Sequence, residues 1–338
     1  MAQSSHINPN LHRGKQPIDV EQLFTDLRAG AISALSRSIT LVESTAVEDI
    51  AFAKAVLSKA LPYSGKSFRL GITGVPGVGK STFIEALGTL LIEQGKKVAV
   101  LAIDPSSSIS RGSILGDKTR MEELVKSDRA FIRPSPAGTT LGGVARKTRE
   151  AIALCEAAGF DFIIVETVGV GQSETAVHSM TDFFLLLKLA GAGDDLQGIK
   201  KGIMEMADMI VINKADGENI TAAKHAKREF QNALHLLPSK NHGWTTKVVT
   251  ASGLNQEGIN EVQNKIEEYT NHSKSNESFE NRRNQQELFW LHQTIEDRLK
   301  SDFYNQSKVQ ELLKKLETQV LNKKMSAFEA AEQLLKTS

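Results

Sequence analysis

The chain has 338 residues, with 41 Lys plus Arg against 40 Asp plus Glu, and its formal charge of +1 gives no general attraction to nucleic acid or anionic membrane. Hydrophobic residues at 40% and charged residues at 24% exclude a chain disordered throughout. At about 150 residues per domain, the length allows roughly two domains. The single cysteine excludes an internal disulfide and a multi-cysteine metal centre, and it fits a reducing cytoplasm.

Residues 1–17 are polar and lack the apolar stretch of a secretory signal, so they read as a loose arm. From Ile18 to Leu61, Val20, Leu23, Phe24 and Leu27, then Ile32, Leu35, Ile39 and Val42, recur at the three-to-four spacing of helices. Phe68 to Thr73 is an apolar strand that runs into a glycine-rich turn and then a helix beginning near Lys80. Further strands are predicted at Val98 to Ile103, Ala130 to Arg133, Phe162 to Thr167, Phe183 to Leu189, Met209 to Asn213 and Lys247 to Thr250. Helix-length segments such as Thr82 to Gln94, Gly142 to Ala158 and Ala222 to Leu236 separate several of them. That alternation predicts an α/β fold with a mainly parallel central sheet flanked by helices. The apolar runs are strand length, well short of the roughly 18 residues of a membrane span.

Beyond Gly258 the strand signal stops. Asn271 to Gln286, rich in Ser, Asn and charge, reads as a linker or exposed helix start. Leu288, Leu291, Ile295 and Leu299, then Val309, Leu312, Leu313, Leu316 and Val320, form helical stripes that must be covered by the main domain or by a second copy. The expected organisation is an arm at 1–17, a helical extension at 18–61, a main domain at 62–270 and a helical dimerisation region at 271–338.

The run Gly74-Val75-Pro76-Gly77-Val78-Gly79-Lys80-Ser81 follows a predicted strand and opens a predicted helix, which is the context its G-x-x-x-x-G-K-[ST] pattern requires. Glycines let successive N–H groups and the helix N-terminus converge on a phosphate. Lys80 adds a charge that reaches the β- and γ-phosphates, and Ser81 supplies a hydroxyl suited to Mg²⁺, with Thr82 beside it. The pattern predicts a P-loop NTPase domain that binds a nucleoside triphosphate.

Met209 to Asn213 ends in Asn213-Lys214-Ala215-Asp216. A carboxylate at Asp216 accepts hydrogen bonds from guanine N1–H and its exocyclic amine, whereas adenine offers it no such pair of donors. The pattern therefore favours GTP over ATP, with the stem of Lys214 covering the base and Asn213 tying the loop to its neighbours. Thr250-Ala251-Ser252 follows the next strand and is expected to offer backbone N–H groups to the base. Glu166-Thr167-Val168-Gly169 ends another strand, putting a carboxylate near the metal and a glycine near the γ-phosphate. Asp104 and Asp117 are further candidates for the metal or the attacking water.

Together these segments resemble the MeaB/ArgK-type GTPases, the G-protein chaperones of methylmalonyl-CoA mutase and related adenosylcobalamin mutases. The resemblance rests on Gly74 to Thr82, Asp104-Pro-Ser-Ser-Ser, Gly112 to Met121, Arg133-Pro-Ser-Pro, Leu141-Gly-Gly, Glu166 to Glu174, Gly193 to Glu205 and Asn213 to Asp216. It implies that GTP/GDP and Mg²⁺ are the cofactors. Lys80, Ser81, Asp104, Asp117 and Glu166 would serve phosphate, metal and hydrolysis, and Asp104 and Asp117 would belong to a first switch, Glu166 and Gly169 to a second. Asp194, Gln197 and Lys200 fall in a third switch that would face an adenosylcobalamin-dependent acyl-CoA mutase. Arg111, where relatives often carry Gly, and Leu189-Ala-Gly-Ala, where a Pro is common, are departures within the switches.

Hydrolysis would rest on positioning and charge neutralisation, with slow intrinsic turnover that the mutase accelerates. Gln172 does not directly follow Gly169 as a catalytic Gln would, so an acid such as Asp104 or Asp117 is an equal candidate with it for orienting the water. A homodimer in the cytoplasm is expected, with neither nucleic acid nor membrane as a partner. One rival reading is a kinase or ATPase of a lysine/arginine/ornithine transport system, against which Asn213-Lys-Ala-Asp216 argues. Another is a nickel-inserting GTPase, against which the dispersed eight His and the core-like Cys155 argue.

Overall fold

A computed structural model describes residues 18–103, 121–134, 141–167, 173–191, 201–238, 240 and 242–337. Seven strands form one parallel sheet in the order β3-β2-β4-β1-β5-β6-β7. They are β1 (Phe68–Gly74), β2 (Val98–Ile103), β3 (Ala130–Arg133), β4 (Phe162–Thr167), β5 (Phe183–Leu189), β6 (Met209–Asn213) and β7 (Lys247–Thr250). The interior strands are buried along nearly their whole length, which is why they read as apolar runs without alternation.

Helices cover both faces. Three precede the sheet: α1 (Val20–Arg28), α2 (Ile32–Glu43) and α3 (Val47–Ala60). Between the strands come α4 (Lys80–Glu93), α5 (Glu122–Lys126), α6 (Leu141–Ala157), α7 (Ser173–His178), α8 (Lys201–Met206) and α9 (Ile220–Leu234). Four follow: α10 (Ile259–Ser275), α11 (Ser278–Tyr304), α12 (Ser307–Leu321) and α13 (Ala327–Leu335).

One core layer joins Leu70 and Ile72 of β1 to Phe83, Ile84 and Leu87 of α4 and to Val262 and Ile266 of α10. The other joins Ile163 and Val165 of β4 to α1–α3 and α6, and Cys155 lies fully buried within it. Burial raises the Cys155 thiol far above its usual range and holds it neutral. Val309, Leu316, Ala330 and Leu334 make a separate small core between α12 and α13. Among the described residues, no helix is long and apolar enough to cross a membrane.

The stretch from Asn271 to Gln286, read from its composition as a linker or exposed helix start, is largely exposed and does contain the start of a helix, but it is no linker. Residue 271 lies inside α10, which runs to Ser275, and α11 begins at Ser278. Arg282 and Arg283 are drawn under the amino-terminal edge of the sheet. Arg283 forks onto Asp182, with Nε and Nη2 each 2.7 Å from a carboxylate oxygen, and donates to the carbonyls of Ser67 (2.6 Å) and Gly65. Asp182 also accepts from the Arg69 amide at 2.8 Å.

Beside this pair, Asp208 accepts from Lys240 (2.6 Å), Arg282 (3.2 Å) and the Phe184 amide (2.9 Å). Burial pushes the Asp208 carboxyl up, but Arg282 and Lys240 together outweigh it and hold the group below the usual carboxylate range. Glu156 likewise receives Arg69, Ser67 and the Gly65 amide, which overcome its burial and lower its pKa. A local count of charge in this stretch of sequence suggests solvent, yet its two arginines answer carboxylates about 74 and 101 residues away along the chain.

Replacing Arg283 by Met leaves Asp182 buried without its fork, and breaking one side of a buried pair costs about 3 kcal/mol. Urea denaturation should show that loss, while Lys126→Met, which removes the exposed pair with Glu123, should leave the midpoint unchanged.

Candidate nucleotide site

The carboxyl edge of the sheet gathers most of the described candidate residues. β1 ends at Gly74, which is buried against β5, and a Cβ there would come within 2.7 Å of the Leu187 carbonyl. The chain then turns through half-buried Val75, exposed Pro76 and Gly77, and fully buried Val78 before α4 opens at Lys80. Gly79 precedes that helix with φ +91°, a left-handed conformation that L side chains resist. A Cβ on Gly79 would also lie 2.8 Å from Asn213 Nδ2. Gly79, at the N-cap, has no side chain with which to cap α4, and the positive end of the helix dipole there favours an anion.

The Lys80 side chain is buried beneath this turn, and its ammonium donates to the carbonyls of Gly74 (2.8 Å) and Val75 (3.4 Å). Ser81 is half-buried and Thr82 exposed on the opening turn of α4. Glu166 is buried at the end of β4, in register with Ile72 of β1 and Ala102 of β2. Because residues in register share a face and Ile72 packs with α4, Glu166 faces the α4 side of the sheet. One residue on, Thr167 joins hydroxyls with Thr73 of β1 at 2.8 Å, which ties the Glu166 strand to the strand that feeds the glycine-rich turn. A threonine at a strand end carries no signature of its own, so this pair emerges only once β1 and β4 are known to be neighbours.

Asn213, at the end of β6, is buried. Its amide donates to the Val78 carbonyl at 2.8 Å, and its side-chain oxygen accepts from the Gly253 amide at 3.3 Å. One carboxamide therefore spans the phosphate-type turn and the loop after β7. Gly253 is needed for close packing, since a Cβ there would lie 2.9 Å from the backbone of Phe83 in the first turn of α4. Lys214 is exposed with φ +57°, its stem passing over Gly79. Half-buried Asp216 accepts a short hydrogen bond from the hydroxyl of buried Ser252, and that hydroxyl in turn accepts from the Asn255 amide at 3.1 Å. The Ala215 amide donates to the Ala251 carbonyl at 3.0 Å. The Asp216 carboxylate is thus aimed by a neighbouring loop and keeps acceptor capacity for a ligand.

The structure brings together Gly74 to Thr82, Glu166, Asn213, Lys214, Asp216 and Ser252. Asp104, Asp117, Gly169, Asp194, Gln197 and Lys200, together with Arg111 and Gln172, lie outside the described residues. Sequence reasoning singled out Ser252 for its backbone, and the structure adds its hydroxyl contact with Asp216. It passed over Gly253, whose value depends on a packing distance to a distant helix.

The family model described as "Methylmalonyl Co-A mutase-associated GTPase MeaB" matches residues 35–308. A putative GTPase of Caulobacter vibrioides is 50% identical over 318 residues, which cover 94% of this chain and 97% of that protein. The methylmalonic aciduria type A homolog, mitochondrial, of Mus musculus is 43% identical over 327 residues, covering 94% of this chain and 79% of that protein. Among solved structures, a crystal structure of an LAO/AO transport system kinase superposes with a TM-score of 0.77 at 38% identity, covering 95% of this chain and 99% of that one.

Removing the spanning carboxamide in Asn213→Ala frees both loops and should weaken nucleoside diphosphate binding by roughly 10- to 100-fold, the cost of one or two buried hydrogen bonds. Ser252→Ala should weaken binding about tenfold through Asp216 alone. Titration calorimetry separates the two, because inorganic pyrophosphate binding should fall in Asn213→Ala and stay unchanged in Ser252→Ala.

Proposed function

The chain belongs to the MeaB family of methylmalonyl-CoA mutase-associated GTPases, and on that premise we propose that it binds GTP, hydrolyses it slowly and uses the cycle to gate adenosylcobalamin loading of an acyl-CoA mutase. In this reading it also protects or reactivates the mutase. The client is methylmalonyl-CoA mutase or a close relative, and the work is done in the cytoplasm by a homodimer. The observation that carries the reading is the convergence of a glycine-led helix N-terminus, the buried Lys80 ammonium and an Asp216 carboxylate oriented by Ser252, all held in one unit by Asn213.

The N–H groups of the turn from Gly74 to Thr82 cradle the phosphates, and the Lys80 ammonium leaves the carbonyls of Gly74 and Val75 for the β- and γ-phosphate oxygens. Asp216 accepts from the guanine edge while the Lys214 stem covers one face of the ring. Glu166, Ser81, Asp104 and Asp117 offer only carboxylate and hydroxyl oxygens, the donor set of a hard divalent cation, and they would hold Mg²⁺. When bound, that ion neutralises charge on the transferred phosphoryl group. Gln172, Asp104 or Asp117 orients the attacking water, and the Gly169 N–H meets the γ-phosphate. Asp194, Gln197 and Lys200 face the mutase.

Support for the homodimer comes from α11. One face carries Trp290 and Gln286 into the core, while Leu288, Leu291, Ile295 and Leu299 stay exposed at helical spacing on another.

Calorimetry with GDP and ADP tests the nucleotide reading. GDP should bind at least about 100-fold more tightly, because adenine leaves the Asp216 carboxylate without its donors. Equal affinities would instead favour a transport-type ATPase or kinase. A pull-down with a purified adenosylcobalamin-dependent mutase, in GDP and in a non-hydrolysable GTP analogue, tests the partner. Binding in one nucleotide state together with faster GTP turnover supports the chaperone role, and absence of binding in both states removes it.

A further inference from the structure

The sheet parts into two halves at its carboxyl edge. Among the described residues, backbone pairing between β1 and β4 runs from Phe68 opposite Phe162 to Ile72 opposite Glu166 and ends there. Past that point β1 stays paired with β5 as far as Gly74 opposite Leu187, and β4 stays paired with β2 as far as Thr167 opposite Ile103. The candidate groups divide along the same line. On the β1 side lie the turn from Gly74 to Gly79, Lys80 and, after β6 and β7, Asn213, Lys214, Asp216 and Ser252. On the β4 side lies Glu166, and Asp104 directly follows β2 in sequence. One half therefore carries the groups for phosphate and base, and the other carries carboxylates assigned above to the metal.

A side-chain contact crosses that split. Thr73 and Thr167, each the next residue on its strand, join hydroxyls at 2.8 Å, and both are buried, at 1% and 0% exposure. They lie on the face away from α4, because Ile72 and Glu166 face α4. The same face carries Gly71, on which α7 sits so closely that a Cβ would meet Val177 Cγ1 at 2.8 Å. Burying two hydroxyls in an apolar layer costs desolvation that a pair of valines would avoid. Their bond also draws the strands closer by about 1 Å than apolar carbons, which meet at roughly 3.5–4.0 Å, would allow. Thr73 is followed by Gly74, whose carbonyl accepts from Lys80 at 2.8 Å, and Thr167 is preceded by Glu166, so the tie connects directly to both halves of the site.

We propose that Thr73 and Thr167 set the gap between the two halves, so that a divalent cation meets the phosphates and Glu166 together. The proposal deepens the GTP-hydrolysis reading above and rests on it. Both are positioning residues, acting through Gly74 and Glu166 from the far face of the sheet. Loss of the tie leaves the phosphate and base groups intact on their own half, so nucleotide binding without metal is spared. What suffers is the match across the split, where a shift of about 1 Å costs roughly 100-fold in rate.

The test compares the full chain with two paired variants. Thr73→Val/Thr167→Val replaces both partners by apolar groups of the same shape and leaves no hydroxyl stranded, whereas Thr73→Ser/Thr167→Ser keeps the bond. Calorimetry measures the affinity of a non-hydrolysable GTP analogue in EDTA and in saturating Mg²⁺, and single-turnover assays measure GTP hydrolysis. In the valine pair the affinity in EDTA should stay at the wild-type value. The gain in affinity conferred by Mg²⁺ should shrink by at least about tenfold, the usual cost of losing the support behind a metal ligand. Hydrolysis should fall by a similar factor or more, and the serine pair should restore both.

A valine pair that keeps the full Mg²⁺ gain would overturn the proposal. So would one that loses affinity equally with and without the metal, since the tie would then serve the phosphate turn alone. A serine pair as impaired as the valine pair overturns it too. Should circular dichroism show the valine pair unfolded, Thr73→Ala/Thr167→Ala, which removes the bond without filling the gap, is judged by the same affinities. A wild-type chain that binds no analogue under either condition overturns the GTP-binding reading and the proposal with it. One that binds the analogue but gains nothing from Mg²⁺ keeps the nucleotide reading and overturns the metal reading together with the tie.

Discussion

The side-chain amide of Asn213 is the contact on which the rest of the candidate site depends. The turn from Gly74 to Gly79 and the loop from Ala251 to Glu257 leave the sheet on strands that are not neighbours. By donating to Val78 O and accepting from the Gly253 amide, Asn213 makes them one body. The close approach explains the glycines on either side of it. At Gly79 a Cβ would collide with the amide, and at Gly253 a Cβ would collide with the helix against which the loop is pressed. Phosphate recognition and base recognition then share a frame, so that a ligand satisfying one is delivered in register to the other.

The opposite edge of the sheet holds a cluster of buried charges. Asp182, Asp208 and Glu156 are buried there with Arg283, Arg282, Lys240 and Arg69, each carboxylate receiving several donors. Buried pairs of this kind add little net stability relative to apolar packing, but losing a single partner is costly, which enforces one arrangement of strands and of α11. Anchoring the carboxy-terminal helices at the amino edge leaves the carboxyl edge to its loops.

How far the chain could be read in advance follows from the range of each interaction. Every strand was legible because parallel strands buried on both faces are short apolar runs, and Val98 to Ile103 or Phe162 to Thr167 need no partner to look that way. The glycine-rich turn was legible because its chemistry is local: glycines, a lysine and a hydroxyl within eight residues. In a stretch that is otherwise largely exposed, Arg282 and Arg283 depart from the reading because their meaning lies in carboxylates that precede β5 and β6. The Thr73–Thr167 hydroxyl pair and the seating of α7 on Gly71 were invisible for the same reason. Each is set by strand order, which no local pattern of these residues encodes.

Asp216, held by Ser252, is proposed to read the donor pair on guanine. Xanthine carries a carbonyl where guanine has its exocyclic amine, so an amide at position 216 should prefer it. Titration calorimetry of GDP and XDP against the full chain and its Asp216→Asn variant measures this directly. GDP should bind the native protein more tightly and the order should reverse in the variant, each by at least about tenfold, the worth of one matched buried hydrogen bond. A variant that still prefers GDP, or a native protein indifferent to the base, would contradict it.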